Sequence, residues 1–274
     1  MNLDNVLFAF GLTLFAGLAT GIGSALAFFT KRTNTKFLSY SLGFSAGVMI
    51  YVSLVEIFQK AVLSFEELHS AKISYSYTLI AFFGGILFIA LIDKLIPSYE
   101  NPHEVRNIED IDKADAEMHK NKKLARMGIF SALAIAIHNF PEGLATFTAG
   151  LADPTVAIPI AVAIAIHNIP EGIAVSVPIF YATGKRRKAF LLSFLSGLAE
   201  PVGALVGFLF IYFIAGGVNP NISGVMFGSV AGIMVFISLD ELLPTAEEHG
   251  EHHVAIYGLV SGMAVMAISL LLFM

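Results

Sequence analysis

The sequence predicts an all-α membrane protein that crosses the bilayer eight times, with an inverted repeat at its centre. Three observations carry that prediction. The chain has 274 residues, 56% hydrophobic and only 14% charged, where a soluble domain carries about 25% charged residues. Eight mostly apolar stretches each reach the roughly 20 residues that a helix needs to cross the hydrocarbon core. None alternates as a barrel strand would, and unpaired backbone cannot sit in lipid, which leaves a helix bundle.

The spans run approximately 5–30, 37–60, 73–97, 127–152, 155–183, 189–214, 222–244 and 254–273, within a single transmembrane domain 1–274. The first 30 residues hold no Lys or Arg, so the first span lacks the basic start of a secretory signal and reads as a mature helix. Spans three and four are parted by 98–126, a long hydrophilic stretch of mixed charge that reads as a solvated or partly disordered cytoplasmic loop. Spans six and seven are parted by the turn-forming cluster Gly216, Gly217, Val218, Asn219, Pro220 and Asn221.

Basic residues orient the bundle, because Lys and Arg near span ends stay on the cytoplasmic side. Of the 16, the odd connections hold 14 and the even ones only Lys60 and Lys72. Both termini therefore lie outside, in a multi-pass protein of the cell (inner or plasma) membrane. Small residues recur at spacing four, as in Gly17 and Gly21, Gly43 and Gly47, or Gly258 and Gly262; they read as ridges for close helix packing. With no cysteine and a net charge of -5, thiolate metal sites and nucleic-acid partners are set aside.

The chemistry lies in a duplication. AIAIHNFPEGLA from Ala134 and AIAIHNIPEGIA from Ala163 are near-identical, offset by 29 positions on consecutive spans. Consecutive spans run antiparallel, so the copies meet as an inverted pair, the arrangement from which many carriers build a mid-membrane site. In each copy His and Glu stand at i and i+4 (His138 and Glu142; His167 and Glu171), and the Asn (Asn139; Asn168) is three before the Glu, so all three project to one side of a helix. Pro141 and Pro170 remove a backbone donor and free the carbonyls of Ile137 and Ile166, and Gly143 and Gly172 follow at once. Imidazole, carboxylate and amide on two facing helices form a donor set for divalent cations.

Charge balance leads to the same place. Glu142, Glu171 and Glu200 lie inside spans, and no Lys or Arg occupies the central part of any span. A bare carboxylate at mid-membrane costs about 3 kcal/mol or more. These groups must be protonated, wet, or paired with a cation from outside the chain, and a metal ion supplies that charge. The alternative, satisfied histidines and protonated glutamates bracing bent helices, suits a lone buried His better than a duplicated set.

With these residues the sequence resembles the ZIP family of zinc/iron-regulated metal-ion transporters, and among them its bacterial broad-range importers. The resemblance spans nearly the whole chain and rests on HNFPEG and HNIPEG, on GLAEP in span six, on AGVM and SLVE in span two, and on SLDELLP in span seven. It implies a binuclear site: one metal on His138, Glu142, His167 and Glu171, and a second sharing Glu142 and Glu171 and adding Asn139, Asn168 and Glu200. It also implies a thioether ligand at Met49, a carboxylate near the entrance at Glu56, both termini outside, and a homodimer in many members. Asp240 and Glu241 near the inner end of span seven are candidates for the exit. The following cluster, Glu247, Glu248, His249, Glu251, His252 and His253, reads as a solvated loop that could catch departing metal, while His69, His103 and His119 read as isolated surface residues.

The expected function is uptake of Zn²⁺, and also of Fe²⁺, Mn²⁺, Co²⁺ and Cd²⁺, which mixed nitrogen and oxygen ligands suit. Metal is cargo here, and no catalytic cofactor or enzymatic activity is expected. Spans four and five would move against a scaffold of spans two, three, seven and eight, with protons competing at the His and Glu ligands. Two rivals remain: an exporter of the same ions, and a membrane-embedded binuclear metallohydrolase. Against the latter, zinc protease helices carry two His at i and i+4, where this chain has His and Glu.

Overall fold

A computed structural model describes residues 3–26, 35–95, 132–133, 135–137, 139–144, 146–151, 154–213, 219–249 and 252–273; His138 and the side chain of His167 lie outside the described part. All regular structure among the described residues is helical, and six helical runs are long and apolar enough to cross a membrane.

Helix α1 spans Leu3–Leu26. Helix α2, Thr35–Tyr51, passes through a π-helical turn, Val52–Ile57, into α3, Phe58–Glu66. This run extends past Lys60, where apolarity alone suggested an end. Lys60 Nζ lies 3.7 Å from Glu56 Oε1 one turn back, so its charge is met on its own helix.

Helix α4 is Ala71–Leu95. Helix α5, Pro154–Thr183, continues through Pro159, Pro170 and Pro178; in lipid, giving up one hydrogen bond is cheaper than opening the ladder. By contrast α6, Arg186–Gly197, and α7, Ala199–Phe213, are parted at Leu198, because Pro201 has no N–H to offer the Gly197 carbonyl. Helix α8, Pro220–Ile237, starts with Asn219 Oδ1 accepting from the Ile222 amide at 3.0 Å and Pro220 at its first position, a favoured pairing. A second π-helical turn, Ser238–Leu242, leads into α9, Leu243–His249, and α10, His252–Phe273, completes the chain.

The helices sort into two bundles. In one, α1 packs on α5, α6 and α7. In the other, α2 packs on α9 and α10, and α8 on α3 and α4. The bundles meet mainly where α2 lies along α5.

Polarity is inverted relative to a soluble protein: Thr13, Thr20, Ser24, Thr78 and Ser193 are buried, while Leu7, Phe15, Ile80, Phe213 and Leu272 are exposed. The small-residue ridges do pack. A Cβ on Gly43 or Gly47 would strike the carbonyls of Ala255 or Leu259, and one on Gly258 or Gly262 those of Tyr40 or Phe44. Such reciprocal approach holds α2 to α10 without large side chains.

Candidate metal site

The two repeat copies lie on the first bundle. The second is part of α5. The first is helical over 139–144 and is seated on α7, since a Cβ on Gly143 would land on the Glu200 carbonyl oxygen and one on Gly203 on that of Phe140. The second copy is seated on α1 in the same way, Gly172 against the Thr20 carbonyl and Gly23 against that of Ile169. The repeat glycines thus serve close approach: a side chain at either would force a helix off its neighbour. Glu200 is brought up behind the first copy by this contact.

Asn139, Asn168, Glu171 and Glu200 are 0% exposed and Glu142 is 1% exposed. Three carboxylates shut away from water in an apolar bundle are costly, which a structure tolerates where they serve a purpose.

The two asparagines show which atoms face that purpose. Asn168 Nδ2 donates to the Ala16 carbonyl at 2.8 Å and to Glu200 Oε1, and Asn139 Nδ2 donates to the Ser196 carbonyl at 3.3 Å. Turning either amide over would set oxygen against oxygen, so the orientation is fixed by its partners. Among the described residues, the buried amide oxygens Asn139 Oδ1 and Asn168 Oδ1 accept no hydrogen bond. One such oxygen per copy, on an otherwise hydrogen-bonded side chain, is an acceptor chemically suited to a cation.

Sequence reasoning missed the residues that hold this arrangement. Ser193 Oγ donates to the Gly172 carbonyl at 2.9 Å and accepts from Ser24 Oγ at 2.6 Å, and Ser196 Oγ donates to the Ser193 carbonyl at 2.7 Å. Together they tie α1, α5 and α6 at the level of the second copy. Only the burial of small polar residues in apolar helices hinted at them. Ser193→Ala removes about 1 kcal/mol of net hydrogen bonding, so the expected result is a melting temperature in detergent lower by about 2 to 4 °C and a several-fold slower transport rate; an unchanged melting curve would show the bridge to be idle.

The other candidates are spread more widely. Met49 is 0% exposed on α2 and shares an apolar cluster with Ile160, Ile164 and Ile173 of α5, so it stands at the seam between the bundles. Glu56 is in the first π-helical turn, partly exposed and paired with Lys60. Asp240 and Glu241 are in the second, half-buried; π-turns within α-helices are frequent at functional sites. Glu247 Oε1 and His252 Nδ1 are 2.8 Å apart and exposed. His69 is not isolated, as its Nε2 meets Asn221 Oδ1 at 2.9 Å and its ring packs edge-on to Tyr77. His103, His119 and Glu251 lie outside the described residues, as do the side chains of Glu248 and His249. Among the described residues, which include neither repeat imidazole, no three His, Asp or Glu side chains form a metal-holding group.

Comparison with known sequences decides the family. The profile of the ZIP zinc transporter family matches residues 100–270, taking in both repeat copies and Glu200. The chain belongs to the ZIP family. This ZIP chain is 62% identical over 270 residues to the zinc transporter ZupT of Chlorobium chlorochromatii, covering 98% of this chain and 99% of the relative. It is 64% identical over 272 residues to the ZupT of Lysinibacillus sphaericus, covering 98% of each, and 62% identical over 265 residues to that of Streptococcus mutans, covering 97% of each. As a ZIP protein it is a multi-pass membrane transporter, not an enzyme.

Proposed function

We propose that this ZIP chain takes up divalent metal, Zn²⁺ first and Fe²⁺, Mn²⁺, Co²⁺ and Cd²⁺ as further substrates, through a binuclear mid-membrane site in an eight-span fold with both termini outside. The observation that carries the reading is the pair of buried amide oxygens on the two repeat copies, beside fully buried carboxylates. One metal is held by His138, Glu142, His167 and Glu171, with Met49 reaching it from the second bundle. The other is held by Asn139, Asn168 and Glu200 with the shared glutamates. Neutral imidazole and amide donors temper the carboxylate charge, so the site binds and still releases, and without thiolate it discriminates weakly among these ions.

Transport follows from the packing. Because the repeat copies touch α1 and α7 backbone to backbone, spans one, four, five and six move as one body. That body slides along α2 against the bundle of spans two, three, seven and eight, exposing the site to either side in turn. Glu56 gathers ions at the outer end and Asp240 and Glu241 receive them at the inner end. An inside-negative potential favours entry by about 4.6 kcal/mol per 100 mV for a divalent ion, so no nucleotide is required.

Cells producing the protein, given radioactive zinc, provide the test. The expected outcome is faster accumulation, matched in proteoliposomes by a metal-sensitive dye that responds to external Zn²⁺ and faster still with a negative interior. Lowered cellular zinc would mark an exporter, and a silent dye would remove transport of zinc altogether.

A further inference from the structure

The repeat is broken one turn beyond the shared glutamates: Thr146 follows Glu142 by four residues, and its counterpart four after Glu171 is Val175. Both side chains are 0% exposed, so a threonine stands where the other copy packs an isosteric apolar residue.

Several buried hydroxyls on the helices of this protein bond to the carbonyl one turn back, a common choice for Ser and Thr within a helix. Thr13 Oγ1 donates to the Ala9 carbonyl at 3.0 Å, Thr78 to Ser74 at 2.9 Å, Thr148 to Leu144 at 2.8 Å and Ser238 to Met234 at 2.7 Å. Among the described residues four buried hydroxyls, Thr20, Ser39, Ser53 and Thr146, have no hydrogen-bond partner, and of these Thr146 is the one that directly follows a repeat copy. It is on the helix face that carries Glu142, about 6 Å further along the axis. What sets Thr146 apart from the other three is its place: its unspent hydroxyl is in line with Glu142 and is replaced by valine in the sister copy, so a partner from outside the chain would find it there.

We propose that Thr146 is a further cation-binding residue, whose hydroxyl oxygen meets the divalent ion or a water molecule it still carries, one turn outward of Glu142. This rests on the metal-site reading above. A neutral oxygen cannot hold the ion against two carboxylates, so it serves as a step from which the ion passes to Glu142. Being a hard donor, it assists Mn²⁺ more than Zn²⁺, and so widens the range of ions accepted.

Initial rates of radioactive Mn²⁺ and Zn²⁺ uptake by cells carrying the full chain test this. Thr146→Val is expected to raise KM about tenfold for Mn²⁺ and about threefold for Zn²⁺ with maximal rate retained, whereas Thr146→Ser keeps both within about twofold of the parent. Identical kinetics for Thr146→Val and the parent would overturn the proposal, as would Thr146→Ser being impaired like Thr146→Val, since the lost feature would then be the methyl group. Should valine keep the protein from the membrane, Thr146→Ala takes its place under the same criteria. Glu171→Gln in the same assay separates the two readings: its normal uptake would remove the metal site itself, while an inactive Glu171→Gln beside a normal Thr146→Val would remove only the role of Thr146.

Discussion

Glu171→Gln is expected to lower zinc uptake at least about 100-fold while leaving the amount of protein in the membrane unchanged. The substitution keeps the size and planarity of a side chain that is 0% exposed and removes only its negative charge. A carboxylate at this depth costs about 3 kcal/mol or more; a divalent ion draws on that same charge, and losing about 3 kcal/mol of binding is about 100-fold in affinity. Stability is expected to change little. The amide keeps the shape of the packed side chain, so the metal-free variant is expected to melt within a few degrees of the parent, and added zinc, which raises the melting point of the parent by binding the folded state, is expected to leave the variant unmoved. Thermal denaturation in detergent with and without zinc, beside uptake in cells, checks both halves. Normal uptake by Glu171→Gln would count heavily against the site.

Gly143→Ala and Gly172→Ala are expected to cut uptake more than about tenfold and to lower the melting point by several degrees, because each adds a carbon where a neighbouring backbone already lies. At Gly143 the new Cβ would meet the Glu200 carbonyl oxygen, and at Gly172 that of Thr20, with the Ser24 amide nitrogen 2.9 Å away. Backbone cannot rotate aside as a side chain can, so the helices must part, and overpacking of this kind costs about 1 to 3 kcal/mol. The displaced residues are neighbours of Glu142, Glu171 and Glu200 themselves, which is why transport suffers more than folding. Gly84→Ala is the matched control: its Cβ would meet nothing within 4 Å, and both uptake and melting are expected to stay at parental values.

How far the sequence revealed this arrangement depended on whether the determining interaction was local. The apolar runs, the twin HNxPEG segments and the Pro201 break are local, governed by residues within one turn. The Glu56–Lys60 pair was open to the same reasoning, since i and i+4 share a helix face, and overlooking it cost the length of the run that ends at Glu66. The π-helical turns at Val52–Ile57 and Ser238–Leu242 both hold the pattern Ser-Leu-x-Glu or Ser-Leu-Asp-Glu, but no local propensity marks such a turn; it arises where packing between long helices must absorb one extra residue. What orients the asparagines was hidden for a different reason. The Ala16 carbonyl is backbone and carries no residue signature, and Ser193 and Ser196 are small polar residues of a kind scattered through every span. Only the close approach of α1 and α7 to the repeat, set by glycines far apart in sequence, gives them their role.

The most direct test is X-ray absorption at the zinc edge of the metal-loaded protein. Ligation between the two repeat copies predicts zinc at about 2.0 to 2.1 Å from nitrogen and oxygen only, or with one thioether if Met49 reaches it. It also predicts an imidazole signature that falls by half in His138→Ala and again in the His138→Ala, His167→Ala double variant. A spectrum unchanged by either substitution would place the metal elsewhere and contradict the account.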